Sequence, residues 1–263
     1  MIAPELLQYV TGGLSGGVVG ITLGLFGGGG SILAVPLMVY WVGVPNPHLA
    51  IGTSAVAVAG NAASSLMNHA LQGSVKWRCA LFYSVAGVVG ALFGSTVGQR
   101  VDGQKLLFLF AFLMLAVAGK MFRHRHHPES QGWQCTRERL PKVMSYGAVT
   151  GTLSGFFGIG GGFLIVPGLI AATGMPILNA IASSLVAVTA FGLTTALNYS
   201  RSGYVDLPLA LVFVAGGMFG GALGARLARR LSLHKGFLNT GFACLVTVVA
   251  LYMMGRSAQA FLS

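Results

Sequence analysis

Residues 24–36 read GLFGGGGSILAVP, and residues 155–167 read GFFGIGGGFLIVP. The two segments align without a gap, Gly24 with Gly155, and end on the same Val-Pro pair. Each lies inside an apolar run that is too long for one helix. The first run extends over residues 6–44 and would measure about 58 Å as a continuous helix, against roughly 30 Å for the hydrocarbon core of a membrane. We therefore predict that both runs break at their glycines.

The similarity between the two parts of the chain continues beyond these glycines. After a slip of one residue in the alignment, Ser54 aligns with Ser184 and Asn68 with Asn198. Such long self-similarity predicts two internal repeats. The first repeat covers residues 1–122 and the second covers residues 143–263. Residues 123–142, the one clearly polar segment between the two repeats, are predicted to form a basic cytoplasmic linker.

The composition predicts an integral membrane protein. Of the 263 residues, 54% are hydrophobic and only 8% are charged, whereas a soluble domain carries about 25% charged residues. A soluble enzyme is thereby excluded. Further apolar runs of a length that spans a membrane lie at 49–72, 79–98, 106–122, 177–199, 207–228 and 236–255. The fold class that we predict is all-α, with four to five transmembrane or half-membrane helices in each repeat.

The net charge of +11 concerns topology more than partner choice. Nucleic acid is not an expected partner, because the aromatic residues lie mostly inside apolar runs and not beside basic residues on a solvated face. The expected partners are the lipid bilayer and a small anionic ligand. Basic residues collect on the cytoplasmic side of a membrane protein, so their distribution can orient the helices.

Two topologies satisfy this rule to different degrees. If each repeat has five elements and the linker is cytoplasmic, the repeats are inverted, both termini lie outside, and the basic residues divide 12 to 4 in favour of the cytoplasm. If each broken run crosses only once, the division is 10 to 6. The first topology is favoured. It places outside only Arg100, Lys105, Arg201 and Arg256.

The paired glycine breaks are the predicted binding site. Unwound backbone in a membrane is tolerated only where it lines an enclosed cavity, and transporters with inverted repeats place broken helices near the midplane. Helix N-termini there offer N–H donors and a partial positive charge to an anion. The candidate residues in the breaks are Gly27, Gly28, Gly29, Gly30, Ser31, Gly158, Gly160, Gly161 and Gly162.

A polar stripe follows each break. In the first repeat, one helical face holds Ser54, Asn61, Ser65 and Asn68. The aligned positions of the second repeat hold Ser184, Phe191, Thr195 and Asn198, so Phe191 replaces Asn61. The stripe either lines a cavity or bonds helices together. His69 and Tyr199 follow the two asparagines and are either interface anchors or ligand contacts. From these residues the predicted site takes Ser54, Asn68, His69, Ser184, Asn198 and Tyr199.

Other features predict packing or solvated loops. Gly87, Gly90 and Gly94, with Gly216, Gly220 and Gly224, have helical spacing and are expected to allow close helix contact. No metal or other cofactor is expected, since His124, His126 and His127 lie in the basic linker without acidic or cysteine ligands in suitable spacing. No Asp or Glu falls inside a span, so proton coupling through a buried carboxylate is not expected.

These residues resemble the sulfite exporter TauE/SafE family of membrane transporters. The resemblance rests on the doubled glycine motif and on the sequences AIGTS at 50–54 and AIASS at 180–184. It implies a multi-pass inner-membrane permease for sulfite, sulfonates or related sulfur-containing anions. Export is the expected direction, because an anion that leaves a negative cell interior gains about 2.3 kcal/mol per charge per 100 mV.

Two other functions fit parts of the sequence. A channel or a structural subunit of a membrane complex is one alternative, and saturable flux in liposomes that contain only this protein would separate a carrier from a subunit. An intramembrane serine protease is suggested by the sequence Gly13-Leu14-Ser15-Gly16, with His69 as the base. That motif is short, and Ser15 aligns with Tyr146 in the second repeat, so the protease is the weaker alternative.

Overall fold

A computed structural model describes residues 4–123, 139–158, 162–231 and 237–262. These residues are almost entirely helical, and no strand occurs among them. The long helices are α1 (Pro4–Phe26), α2 (Pro47–Leu71), α3 (Trp77–Gly98), α4 (Gly103–Arg123), α5 (Leu140–Phe157), α6 (Gly162–Thr173), α7 (Ile177–Arg201), α8 (Leu207–Leu231) and α9 (Phe237–Leu262). The linker histidines lie outside the described residues.

Five stretches of the described chain are long and apolar enough to cross a membrane. They are Leu6–Trp41, Pro47–Leu71, Trp77–Gly98, Ile177–Arg201 and Leu207–Ala228. Shorter apolar helices lie at Gly103–Gly119, Gly162–Thr173 and Ala243–Arg256. The predicted all-helical membrane fold is therefore confirmed.

The first long run breaks at the glycines, as its length predicted. After α1 the chain forms a 3₁₀ helix at Gly27–Leu33, one α-helical turn at Ala34–Pro36 and a π-helical turn at Leu37–Trp41. We call these three pieces together segment 27–41. Pro36 has no amide hydrogen and cannot continue the regular hydrogen-bond ladder of an α-helix.

Segment 27–41 turns back along α1. Its far end lies beside the start of α1, because Trp41 and Val42 line one groove with Leu7 and Thr11. The segment thus passes back over most of the depth that α1 has crossed. The chain then enters α2 on the side where α1 began.

The contacts of the glycines fix the directions of the helices. In α1, Gly16 packs on Phe213 and Gly24 packs on Gly221, so residue numbers rise together and α1 is parallel to α8. The same holds for α2 and α8, where Gly60 meets Val214 and Ser65 lies against Gly221. Helices α1 and α2 therefore run in the same direction, which requires the intervening segment to return the chain.

The second part of the chain runs in the opposite sense. Helix α5 is parallel to α3, since Gly151 packs on Gly87 and Gly155 on Ala91. Helix α7 is antiparallel to α2, because Gly52 lies near Tyr199 while Gly192 lies near Ala59. Helices of matching order, such as α2 and α7, thus point in opposite directions, as the topology with five elements in each repeat requires.

Six glycines of the described chain have positive φ, and they fall into three pairs. When the two glycine motifs are aligned, Gly27 aligns with Gly158 and Gly43 with Gly174. After the slip of one residue, Gly73 aligns with Gly203. Turns at equal intervals are what a duplicated chain would give. The duplication itself stays a prediction.

The glycines that were predicted to allow packing do so. A β-carbon on Gly220 would overlap the carbonyl of Gly17, and one on Gly94 would overlap the carbonyl of Thr152. Small residues let helix backbones approach closely in a membrane, where the hydrophobic effect does not drive helices together. The contact pairs α1–α8 and α3–α5 are built in this way.

The acidic side chains that the structure describes cap helices at the ends of spans. The Asp102 carboxylate accepts the N–H of Gln104 and Lys105 at 3.1 Å. The Asp206 carboxylate accepts the N–H of Leu209 at 3.0 Å. Both therefore stabilise helix N-termini.

Candidate functional site

The first break is a buried reversal of the chain. Gly27 has φ of +63°, a conformation that favours glycine, and every residue of Gly27–Leu33 is buried, including Gly29, Gly30 and Ser31. The Thr22 hydroxyl on α1 lies 2.9 Å from the carbonyl of Val19 in its own helix and 3.2 Å from the carbonyl of Gly30. Segment 27–41 therefore packs directly against the helix that precedes it.

The two breaks meet through their backbones. A β-carbon on Gly162, the first residue of α6, would overlap the carbonyl of Gly28. A β-carbon on Gly28 would in turn lie 2.6 Å from the Cα of Gly162. Only glycine fits on both sides of this contact, so the structure brings together two positions that are far apart in the chain.

The peptide groups of Gly28 are bonded to hydroxyl groups. The Gly28 N–H donates to the Oγ of Ser184 on α7 at 3.0 Å, and Ser184 donates to the carbonyl of Ile181 at 2.7 Å. Ser31 donates to the carbonyl of Gly28 at 2.9 Å. Ser184 thus lies at the first break, and it occupies the acceptor position in front of a backbone donor.

The second break has similar surroundings on α2. Gly158 ends α5 with φ of +67° and donates its N–H to the carbonyl of Gly155. The side chain of Ile51 lies directly over Gly158. Ser54, one turn later on α2, donates to the carbonyl of Ile51 at 2.9 Å. Gly160 and Gly161 lie outside the described residues.

The two asparagines of the predicted site, Asn68 and Asn198, do not join the breaks. Asn68 is half-buried and lines a groove between α2 and α8 with Arg226. Asn198 donates to Ser95 at 2.7 Å and to Thr96 at 3.1 Å, near the end of α3. Because α2 and α7 are antiparallel, the two asparagines lie toward opposite ends of the bundle.

His69 and Tyr199 are both fully buried. The Nε2 of His69 lies 3.4 Å from the carbonyl of Gly24, just before the first break. The ring of Tyr199 lies beside His48 and Tyr204, with centroid distances of 6.3 and 6.4 Å. His69 therefore borders the first break, whereas Tyr199 belongs to an aromatic cluster at the start of α2.

The protease arrangement is not assembled. His69 lies beside Gly24, and Ser15 is nine residues earlier on the same helix, which is about 13 Å along the axis. A nucleophile and its base must approach to hydrogen-bond distance. The structure therefore gives no support to an intramembrane serine protease.

Sequence reasoning missed several residues at the breaks. The only sequence signal for Thr22 is that it is a hydroxyl residue within an apolar run. Val188 has no polar signal, yet its side chain limits the space around Gly28. Contacts between α7 and the first break join distant parts of the chain, so no local pattern predicts them.

The chemistry of the breaks is that of neutral hydrogen-bond donors. Backbone N–H groups and the hydroxyls of Ser31, Ser54 and Ser184 surround buried glycine backbone. Such groups can replace part of the hydration shell of an anion without a fixed positive charge.

Comparison with known proteins assigns the family. The sequence profile of the family described as sulfite exporter TauE/SafE matches residues 13–253. The chain belongs to this family. The match covers both glycine breaks and all of the stripe residues, so the family relationship includes the whole candidate site.

Curated relatives support a role in transport. The chain is 53% identical to a "Probable membrane transporter protein" of Xylella fastidiosa strain Temecula1, over 92% of this chain and 94% of the relative. It is 28% identical to the "Probable membrane transporter protein YunE" of Bacillus subtilis, over 83% of this chain and 87% of the relative. No solved structure gives a significant match. This member of the TauE/SafE family is a multi-pass membrane transporter.

Proposed function

We propose that the protein exports a small sulfur-containing anion, such as sulfite or a sulfonate, across the inner membrane by alternating access. The contact between the backbones of Gly28 and Gly162 is the observation that carries this proposal. Irregular backbone buried at membrane depth costs several kcal/mol per unpaired group unless a partner or a ligand satisfies it. The family name supplies the class of anion.

Ser184 suggests how the anion is bound. In the compact arrangement its oxygen accepts the N–H of Gly28. When the two breaks separate, an oxygen of the anion takes this position, and the hydroxyls of Ser31 and Ser54 add donors. Neutral donors of this kind suit an oxyanion and allow it to leave again.

The helix contacts suggest the moving parts. Glycine backbones lock α1 to α8 and α3 to α5, so each pair moves as one body. Rocking of the two pairs about the central helices α2 and α7 would open the breaks to one side at a time. The membrane potential favours export of an anion without a coupling ion.

Ligand binding tests the proposal. Purified protein is heated with sulfite, sulfate, thiosulfate, taurine or sulfoacetate, and the midpoint of thermal unfolding is followed. A bound anion raises the midpoint, because it stabilises the folded protein. At an anion concentration of one hundred times its Kd, the free energy of unfolding increases by about 2.7 kcal/mol. We expect a shift with sulfite or a sulfonate. Midpoints that stay at the value without ligand for all five compounds would contradict the proposal.

Flux with the purified protein separates a carrier from the alternatives. A carrier in liposomes that contain only this protein gives saturable flux of the anion that binds. A channel gives flux that does not saturate, and a structural subunit gives none. Efflux that follows a pH gradient but ignores the membrane potential would contradict uncoupled export.

A further inference from the structure

The groove between α2 and α8 has a polar end and an apolar body. Its volume is about 590 Å³. Asn68, Ser64 and Arg226 form the polar end. The remaining lining residues are Ala215, Met218, Phe219, Ala222 and Leu223. By the predicted topology, Arg226 faces the cytoplasmic side, so an anion that arrives from the cytoplasm meets a positive charge at this end.

Behind the groove, two buried polar side chains face the glycines of α8. Asn61 lies against Gly217 and Ser65 against Gly221, and both side chains are fully buried. Within the described part of the chain, neither the amide group of Asn61 nor the hydroxyl of Ser65 has a hydrogen-bond partner. Positions 61, 65 and 68 share one face of α2, so these groups continue the polar end of the groove inward.

Burial of the Asn61 amide without a hydrogen-bond partner is unfavourable, and helix packing does not explain it. A buried polar group without a partner destabilises the folded protein. The aligned position on α7 holds Phe191, which packs on Gly87 just as Asn61 packs on Gly217. An apolar side chain therefore fits this kind of contact, and packing alone does not require an amide at position 61.

The same comparison distinguishes the two ends of the bundle. Asn68 shares its groove with Arg226, whereas Asn198, which aligns with Asn68, is bonded to Thr96. Thr96 in turn aligns with Arg226. At the Arg226 end, Asn68 donates to the carbonyl of Ser64 in its own helix at 3.3 Å, whereas at the other end Asn198 joins α7 to α3. The amide of Asn68 therefore does not tie α2 to the helix that carries Arg226, and this end suits the capture of an anion.

We propose that Asn61 and Ser65 bind the transported anion at the depth where segment 27–41 passes back along α1, with Arg226 at the mouth of the route from the cytoplasm. The inference rests on the proposed function. Movement of α8 away from α2, across the small residues Gly217 and Gly221, exposes the two side chains to the groove. The amide N–H and the hydroxyl then donate to the oxygen atoms of the anion.

The test measures sulfite binding to variants of the full chain. Asn61→Leu removes the amide at similar volume, and Ser65→Ala removes only a hydroxyl. Arg226→Gln removes the charge at the mouth, and its matched control is Arg230→Gln, which removes an exposed charge one turn later on the same helix. Phe191→Leu controls for a change of volume at the matching position of α7. Kd for sulfite and the unfolding midpoint without ligand are measured for each.

Loss of a hydrogen bond to a charged ligand weakens binding by about tenfold to a hundredfold. We expect Asn61→Leu to raise Kd by that factor while its unfolding midpoint stays equal to or above the native value. Ser65→Ala should raise Kd about tenfold. Arg226→Gln should raise Kd at low salt only, and Arg230→Gln and Phe191→Leu should leave it unchanged.

The outcomes separate this inference from the proposed function. Native protein that binds neither sulfite nor any of the other anions would overturn both. Native binding together with unchanged Kd in Asn61→Leu and Ser65→Ala would overturn only the inference. A lower unfolding midpoint with unchanged Kd in Asn61→Leu would assign the amide to helix packing and would also overturn it.

Discussion

Gly28 joins the two glycine breaks. A β-carbon on it would lie 2.6 Å from the Cα of Gly162, and its N–H is bonded to Ser184 on α7. Four consecutive glycines in a run too long for one helix predict a break here, because length and backbone geometry are local properties. The partners of Gly28 depend on how distant helices pack, so they could not be predicted.

Replacement of Gly28 tests the close contact between the breaks. Gly28→Ala puts a methyl group against the backbone of Gly162 and the side chain of Val188, and we expect the free energy of unfolding to fall by about 3 kcal/mol. Reversible unfolding in mixed detergent micelles measures this change. The control is Gly119→Ala in α4, where the added methyl group meets no neighbour and stability should be equal or higher. Equal stability of Gly28→Ala and native protein would contradict the contact.

Ser184→Ala tests the acceptor in front of Gly28. The Gly28 N–H would lose its partner, so we expect the unliganded protein to be less stable by about 1–3 kcal/mol. An anion that occupies the vacated position should recover part of this loss. The midpoint shift produced by sulfite should therefore be larger in Ser184→Ala than in native protein, and a smaller shift would contradict the role given to Ser184.

At the scale of the elements, the sequence predicted most helices but not their partners. Runs of apolar residues located the spans, and the spacing of Gly216, Gly220 and Gly224 predicted a close helix contact. No local pattern in the sequence predicts that α8 packs on α1, because the two helices lie far apart in the chain. The 3₁₀ and π-helical turns of segment 27–41 were also beyond prediction, because packing in a confined volume selects them over a regular helix.

Neighbouring glycines on α1 test the parallel contact with α8. Gly20→Ala would place a methyl group on the backbone of Gly217, whereas Gly17→Ala has only Gly216 at 3.7 Å, an ordinary contact. We expect Gly20→Ala to reduce the free energy of unfolding by about 1–3 kcal/mol, and Gly17→Ala to leave it equal or slightly higher. The reverse order, measured by unfolding in mixed micelles, would show that the register between α1 and α8 is wrong.

For the whole molecule, the direction of the helices explains the charge distribution. Because segment 27–41 returns the chain, helices of matching order point in opposite directions. Among the described residues, the helix ends on the side of Arg226 carry most of the basic residues. The sequence predicted this topology from the positive-inside rule. Which side of the membrane that end faces stays a prediction.

Labelling of single cysteines tests the orientation. In a background where the three native cysteines are replaced by serine, Lys76→Cys marks the loop between α2 and α3, and Arg100→Cys marks the loop between α3 and α4. We expect a membrane-impermeant maleimide to label intact cells only at position 100, and opened membranes at both positions. Labelling of intact cells at position 76 alone would reverse the orientation and the proposed direction of entry at Arg226.

The central claim is that the protein carries a small sulfur-containing anion past the meeting point of its two glycine breaks. Sulfite flux from liposomes that contain only this protein, under an imposed membrane potential, measures it most directly. We predict saturable flux that follows the potential in native protein and in Gly119→Ala, and flux reduced at least a hundredfold in Gly28→Ala that is still inserted and folded. Flux in Gly28→Ala equal to the native rate would contradict the claim.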